Sequence, residues 1–204
     1  MTTIFLIRHA EHGDYDVRLS GRRPGVSLSE RGRGQAATLA ERFAKAGIDR
    51  IEASPLKRTR ETAAAIGAAC AVPVRDEAAL IEIDMGEWTG RQFGTFGDDP
   101  AWRDWNEHRG TARIPGGETM AEAQARIVGH LRATAASAAD GTIAMVSHSD
   151  MIRAAIAWAL GLPLDNLLRF DIGPASVSRL VVGDWGAKVL SVNEVCSWGV
   201  GLDG

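Results

Sequence analysis

Hydrophobic positions along the chain follow two patterns in turn, one typical of buried strands and one of amphipathic helices. Short apolar runs rich in β-branched residues indicate strands covered on both faces. Apolar residues three and four positions apart indicate helices with one inward face. The predicted extended segments cover residues 3–8, 50–53, 72–74, 80–83, 142–146, 176–182 and 188–195.

Capping residues and glycines place the ends of the predicted helices. Ser27 or Ser29 can cap the first helix, and Gly47 can end it in the left-handed conformation. Ser54 followed by Pro55 predicts the start of a second helix that runs to about residue 69. Further helices are expected from Glu118 or Thr119 onward, over residues 150–160, and as a short piece near Trp102 and Trp105.

Strands that alternate with helices predict an α/β fold with a mostly parallel sheet. Residues 183–186 separate the last two strands as a hairpin would, which adds an antiparallel pair. Residues 90–117 break the alternation with aromatics, arginines and glycines that show no period. Because long loops within compact domains often carry function, we expect a lid or substrate-specificity insertion there. The chain shows neither repeats nor a linker, so residues 1–204 are expected to form a single domain.

Composition and charge narrow the possible functions. The 204 residues are 45% hydrophobic and 24% charged, which is typical of a globular protein. A net charge of −3 provides no basic field, so nucleic acid is not an expected partner. The sequence contains no apolar run of about 18 residues, so no membrane association is expected. Cys70 and Cys196 match neither a zinc site nor a disulfide framework, which favours a cytoplasmic protein.

Polar side chains follow several predicted strands at the end where α/β sheets bind ligands. Arg8 and His9 end the first strand, and Arg58 lies one turn into the helix after the second. Glu82 lies in the segment at 80–83, and His148 follows the strand at 142–146. We therefore expect two histidines, two arginines and a carboxylate to converge on one edge of the sheet.

This set of side chains indicates phosphoryl transfer. Two arginines imply a doubly charged oxyanion, because each guanidinium binds phosphate oxygens bidentately. A neutral imidazole can accept a phosphoryl group, and a second, charged imidazole would stabilise its oxygens. A protonated carboxyl can donate a proton to the leaving oxygen. The sequence lacks a Walker motif and paired aspartates for magnesium, so we expect transfer through histidine without a metal or cofactor.

The motifs that contain these residues resemble those of the histidine phosphatase superfamily, in its phosphoglycerate-mutase-like branch. They occur in the family's order and spread over most of the chain. The resemblance implies a three-layer α/β/α sandwich with a mostly parallel central sheet and no metal. The matching blocks are LIRHAE at 6–11, SPLKRTRETA at 54–63, EIDMGEWTG at 82–90, PGGET at 115–119 and VSHSD at 146–150.

Carried over position by position, the resemblance implies a role for each catalytic candidate. His9 would attack phosphorus and become phosphohistidine. Arg8, Arg58 and His148 would hold the phosphoryl oxygens. Glu82 would protonate the leaving group and then deprotonate the attacking water. Glu11, Asp84 and Glu87 are the other candidates for this acid.

The sequence departs from the family pattern near both histidines. Ser149 stands where a glycine is usual and brings a hydroxyl near the substrate, and Ala10 replaces the other glycine. The residues that mutase-like members carry after their first histidine are absent, and residues 11–14 with a longer loop stand there instead.

Several further residues are candidates for substrate contact. Glu11 and Arg22 are predicted to bind substrate, although Arg22 could equally be an ordinary loop cation. His12 could line the entrance. Arg60 is as readily an exposed helix charge as a functional residue.

Three functions compete at this stage. The first is a metal-independent phosphomonoester hydrolase that acts on a small phosphorylated metabolite through phosphohistidine. The altered loop after His9 and the short chain favour it over phosphoglycerate-mutase-type transfer. The third, a catalytically silent phosphate-binding module, has no need of Glu82. Beyond the substrate, a second copy of the chain in a homodimer is the one partner considered.

Overall fold

The computed structural model describes residues 1–195, so Cys196 lies outside the described residues. These residues form a six-stranded sheet with helices on both faces. The strands are β1 Thr2–Arg8, β2 Arg50–Ala53, β3 Val74–Asp76, β4 Thr142–Ser147, β5 Val177–Gly183 and β6 Gly186–Glu194. The helices are α1 Glu30–Phe43, α2 Lys57–Cys70, α3 Pro100–Glu107, α4 Met120–Ser137 and α5 Ser149–Leu160.

The strand order confirms a mostly parallel sheet with an antiparallel addition. The order is β3-β2-β4-β1-β5-β6, and the first four strands pair in parallel. β5 runs antiparallel to β1 and forms the predicted hairpin with β6. β1 and β4 are therefore central neighbours whose carboxyl ends meet at one edge.

The layers are those of the expected three-layer α/β/α sandwich. α1 and α2 pack on one sheet face, and α4 and α5 pack on the other. Side chains of β1 alternate between the faces: Ile4 and Leu6 join the cluster under α4 and α5, whereas Ile7 joins the cluster under α1 and α2. Burial on both faces explains why β1 is apolar at successive positions.

The structure decides between the two caps predicted for α1 and corrects the predicted start of α2. Ser29, not Ser27, caps α1, because its Oγ accepts a hydrogen bond of 3.0 Å from the Gly32 amide. α2 begins at Lys57 rather than beside Pro55. The Ser54 hydroxyl instead lies 2.8 Å from the ring of His148, one of the predicted catalytic residues. α1 also ends at Phe43, before the predicted stop at Gly47.

The predicted extended segment at 80–83 is not a strand. Residues 78–80 form a single 3₁₀ turn, and residues 80–83 pair with none of the described strands. The neighbouring short strand lies at Val74–Asp76, two residues later than predicted.

Residues 90–117 contain the expected short helix and pack against the core. Asp99 caps α3 and Pro100 occupies its first turn. Trp105 is fully buried and lies against Trp88, with ring centroids 6.3 Å apart. In residues 1–195, no helix has the length and apolarity needed to cross a membrane.

Candidate active site

The site lies where β1 and β4 end side by side. His9 and His148 directly follow these strands, and their ring centroids are 5.2 Å apart. A cavity of about 620 Å³ opens at this edge. Of the predicted residues, Arg8, His9, Arg58, Glu82, Ser149 and His12 line it.

The hydrogen bonds of His9 define its protonation. Nδ1 lies 2.8 Å from the Ala10 carbonyl oxygen, which can only accept, so Nδ1 carries the proton. Nε2 therefore presents a lone pair, and Arg58 Nε donates to it at 3.3 Å. Burial, followed by the charges of Arg58 and Arg8, lowers the pKa of His9 well below its ordinary value. The ring is a neutral, oriented nucleophile.

Arg58 is a buried cation that links the two histidines. Its Nη2 donates to the Gly21 carbonyl at 2.8 Å and lies 3.2 Å from His148 Nδ1. Its Nη1 is buried and has no hydrogen-bond partner among residues 1–195. Because buried donors are nearly always paired, this nitrogen is suited to a ligand oxygen.

His148 is fully buried beside Arg58 rather than on the cavity wall. Since Arg58 can only donate, Nδ1 of His148 accepts, and the proton on Nε2 goes to the Ser54 hydroxyl at 2.8 Å. Burial, then the charges of Arg58 and His9, lowers the pKa of His148 well below its ordinary value. In the free site this second imidazole is neutral, not charged.

Arg8 completes the cationic part of the site. Its Nη1 donates to the Ile172 carbonyl at 2.6 Å, and its guanidinium lies 5.5 Å from the centre of the Tyr15 ring. Its Nε is a second buried donor without a partner in the described part of the chain.

Glu82 has the properties of an acid that works near neutral pH. Its Oε1 accepts from the Ile83 amide at 2.9 Å, and its Oε2 lies 3.8 Å from His148 Nδ1. Burial, with the charge of Asp150 next in size, raises the pKa of Glu82 to about 7, against the opposing charge of Arg58. The carboxyl is therefore partly protonated at pH 7.

Glu11, Asp84 and Glu87, the other residues predicted as candidates for this acid, lie outside the cavity. Glu11 was also predicted to bind substrate; that role stays a prediction, although Glu11 does not line the cavity. Its carboxylate accepts from the Ser29 hydroxyl at 2.7 Å and pairs with Arg31 at 3.6 Å, beside the start of α1. Asp84 accepts from the Gly86 amide at 3.0 Å.

Arg22 was likewise predicted to bind substrate, and that role also stays a prediction. It does not line the cavity, because its three donor nitrogens contact the Glu82 carbonyl, Asp84 and Glu118. Arg60 is exposed and pairs with Asp76 on the surface.

His12 and Ser149 lie on the wall as expected. His12 Nδ1 accepts from the Asp14 amide at 3.2 Å, so Nε2 carries the proton. Burial, together with the charge of Arg58, lowers the pKa of His12 to about 4. The Ser149 hydroxyl donates to the Ile172 carbonyl at 3.4 Å.

Sequence reasoning missed a second set of charged residues that line the cavity. The part of the cavity lined by Arg109, Asp150 and Arg153 is called the outer cavity below. Arg109 is buried against the Trp105 ring and donates to Asp150 at 3.2 Å. Arg153 lies 3.6 Å from the same Asp150 oxygen. The motif VSHSD contains Asp150, but for Arg109 the only available signal was its position within 90–117. In residues 1–195, no three acidic, histidine or cysteine side chains are arranged to hold a metal ion.

A mostly parallel sheet whose carboxyl edge gathers two histidines and two arginines defines the class of this protein as a phosphatase. The chain belongs to the histidine phosphatase superfamily, whose branch 1 model matches residues 4–195. The predicted class, a phosphoric monoester hydrolase of this superfamily, is thereby confirmed together with the fold.

Three relatives illustrate the range of named activities. The chain is 33% identical to phosphoserine phosphatase 1 of Hydrogenobacter thermophilus, over 98% of this chain and 95% of that one. It is 32% identical to a probable phosphoglycerate mutase of Proteus mirabilis, over 88% and 85%. A mycobacterial glucosyl-3-phosphoglycerate phosphatase structure superposes with a TM-score of 0.83 at 28% identity, over 94% and 98%.

Proposed function

We propose that this protein hydrolyses a small phosphorylated metabolite through a phosphohistidine on His9, without a metal. The proposal rests on the protonation state of the His9 ring. Its Nδ1 proton is held by the Ala10 carbonyl, and its Nε2 lone pair faces Arg58. Attack on phosphorus requires a neutral imidazole of this kind beside positive charge.

The proposed reaction consists of two displacements at phosphorus. In the first, His9 Nε2 bonds to phosphorus, the bond to the alcohol oxygen breaks, and Glu82 gives its proton to that oxygen. In the second, water attacks phosphorus, the phosphorus–nitrogen bond breaks, and the Glu82 carboxylate takes up the water proton. Alcohol and phosphate leave, and both side chains are restored.

In this proposal Arg8 and Arg58 hold the phosphoryl oxygens, and Ser149 adds a contact. His148 joins them only once bound phosphate has led to protonation of its Nδ1. The unpaired buried donors of Arg8 and Arg58 support it, because a phosphate oxygen would satisfy them. A bound dianion would also offset the charge of Arg58 and so raise the pKa of His148.

The outer cavity supports a small polar substrate. Charges of both signs, from Arg109, Arg153 and Asp150, share its wall with the aromatic rings of Phe93 and Trp102. Residues 90–117 supply three of these five side chains, which supports a specificity role; movement as a lid stays a prediction. Phosphoserine and phosphorylated sugar acids are the first compounds to screen, given the names of the relatives.

Phosphoglycerate-mutase-type transfer is the second candidate, because relatives of similar identity bear that name. A mutase must keep water away from its phosphoenzyme until the substrate returns. A silent phosphate-binding module is disfavoured, since it has no use for a carboxyl whose pKa is raised to about 7.

Trapping the phosphoenzyme tests the proposal. Wild type mixed with ³²P-labelled substrate and quenched in base should retain label, whereas His9→Ala should retain none and show no turnover while its circular dichroism is unchanged. Label in His9→Ala would refute the nucleophile. A labelled enzyme that is stable in water and discharged only by phosphoglycerate would establish the mutase instead.

The remaining expectations stay predictions: a single domain over residues 1–204, a homodimer, a cytoplasmic location, and no nucleic acid or membrane partner.

A further inference from the structure

The segment that carries Glu82 is held in place by side chains rather than by a neighbouring strand. Its successive carbonyl groups accept hydrogen bonds from distant parts of the chain. The pairs are Ala79 with Arg126 at 2.9 Å, Leu80 with the Ser147 hydroxyl at 2.7 Å, Ile81 with Arg126 at 2.8 Å and Glu82 with Arg22 at 2.8 Å.

Glu118 joins the two arginines. Its Oε2 accepts from Arg22 Nη2 and from Arg126 Nη2, both at 2.9 Å. The same oxygen accepts from the Asp84 amide at 2.9 Å, two residues after Glu82. One carboxylate thus ties both cations to the backbone on which the acid is carried.

The loop that carries Arg22 also reaches the phosphate side of the site. The carbonyl of Gly21 accepts from Arg58 Nη2 at 2.8 Å. Gly21 has φ +48, and a Cβ there would lie 2.9 Å from the Thr89 hydroxyl oxygen, so this position favours glycine. Adjacent residues therefore contact Arg58 and the backbone of Glu82.

We propose that Arg22, Glu118 and Arg126 form a positioning cluster that sets the distance between the Glu82 carboxyl and the leaving oxygen. This inference rests on the proposed role of Glu82 as the acid. Within residues 1–195, the only hydrogen bond to the Glu82 carboxyl comes from the adjacent Ile83 amide, so the position of the carboxyl follows that of the backbone. None of the three cluster residues lines the cavity, so they act through Glu82 and not on phosphate.

Comparing substrates with poor and good leaving groups separates positioning from general damage. β-Glycerophosphate needs its leaving oxygen protonated, whereas para-nitrophenyl phosphate needs little protonation. The ratio of their kcat/KM values is independent of the fraction of enzyme that is folded. Because kcat/KM ends at the first irreversible step, the later attack by water does not enter, provided that phosphoryl transfer is irreversible.

We expect Arg22→Met, Arg126→Met and Glu118→Gln each to lower kcat/KM for β-glycerophosphate about tenfold, with a much smaller loss for para-nitrophenyl phosphate. Arg22→Lys keeps the charge but loses the fork that reaches both Glu82 and Glu118, so it should fold and still change the ratio. Arg60→Met, which breaks a surface ion pair of the same residue types, should leave the ratio unchanged.

Glu82→Gln is the reference variant. It should lower kcat/KM for β-glycerophosphate more than for para-nitrophenyl phosphate, and by a larger factor than the cluster variants do. If it is selective and the cluster variants, Arg22→Lys included, lose both activities equally, the positioning proposal is wrong and the acid stands. If Glu82→Gln is itself unselective, the acid assignment fails, whatever the cluster variants show.

Discussion

Replacing Glu82 with glutamine should stabilise the fold at alkaline pH, although it removes the proposed acid. Burial and the charge of Asp150 raise the pKa of this carboxyl from 4.5 to about 7. Because the folded state binds the proton more tightly than the unfolded chain does, the proton stabilises the fold fully below pH 4.5. That stabilisation is lost as the pH rises through about 7.

The magnitude follows from the difference between the two pKa values. At about 1.4 kcal/mol per pKa unit, the rise from 4.5 to about 7 amounts to about 3 kcal/mol. The carboxyl is 14% exposed, so solvent screens little of this cost. Glutamine resembles the protonated acid and does not ionise, so the variant is spared this loss.

Urea unfolding of both proteins at about pH 5 and about pH 8.5 measures the effect. The stability of the variant relative to wild type should rise by about 2 to 3 kcal/mol between these conditions, because other titrating groups cancel in the comparison. Glu122→Gln is a control of opposite sign. Arg113 and the Thr119 amide lower the pKa of Glu122 to about 2, so its ionised form stabilises the fold and its removal should not help at either pH. An identical pH dependence in wild type and Glu82→Gln would refute the reasoning.

Three further outcomes are expected. Asp150→Asn should lower the pKa of Glu82. In wild type, kcat/KM for β-glycerophosphate should fall as the pH rises through about 7, and in the variant this fall should occur at lower pH. An unchanged pH profile would contradict the contribution of the Asp150 charge. Arg58→Lys should lower kcat/KM for para-nitrophenyl phosphate at least about a hundredfold, because an ammonium cannot reach Gly21 and both histidines at once. Near-normal activity would show that the forked geometry of the guanidinium is not required. Activity should survive dialysis against EDTA, and a loss restored by added Mg²⁺ would show that a metal takes part.

Local pattern was enough to find the two histidines. β1 and β4 are apolar at successive positions because both faces of the sheet are covered, and such runs are visible without any knowledge of the fold. His9 and His148 come immediately after these runs, so locating the strands also located them. Arg58 needed only the helix that follows β2.

The local sequence pattern predicts neither the backbone conformation around Glu82 nor its pKa. The predicted extended segment around it is not a strand, because its carbonyl groups are satisfied by Arg22, Arg126 and Ser147, which come from three other parts of the chain. Family register identified this residue, but the pKa of about 7 depends on burial and on Asp150, 68 positions later.

The order of the residues was enough to predict the alternation of strands and helices, the edge at which the site lies and the residue types that meet there. These follow from periodicity and from short distances along the chain. The packed fold was needed to show that Glu11 and Arg22 lie outside the cavity, that Arg109 lines it, and that the His9 proton is on Nδ1. The reason is physical: partners, burial and charge depend on groups distant in sequence, and these come together only when the sheet and its covering helices are packed.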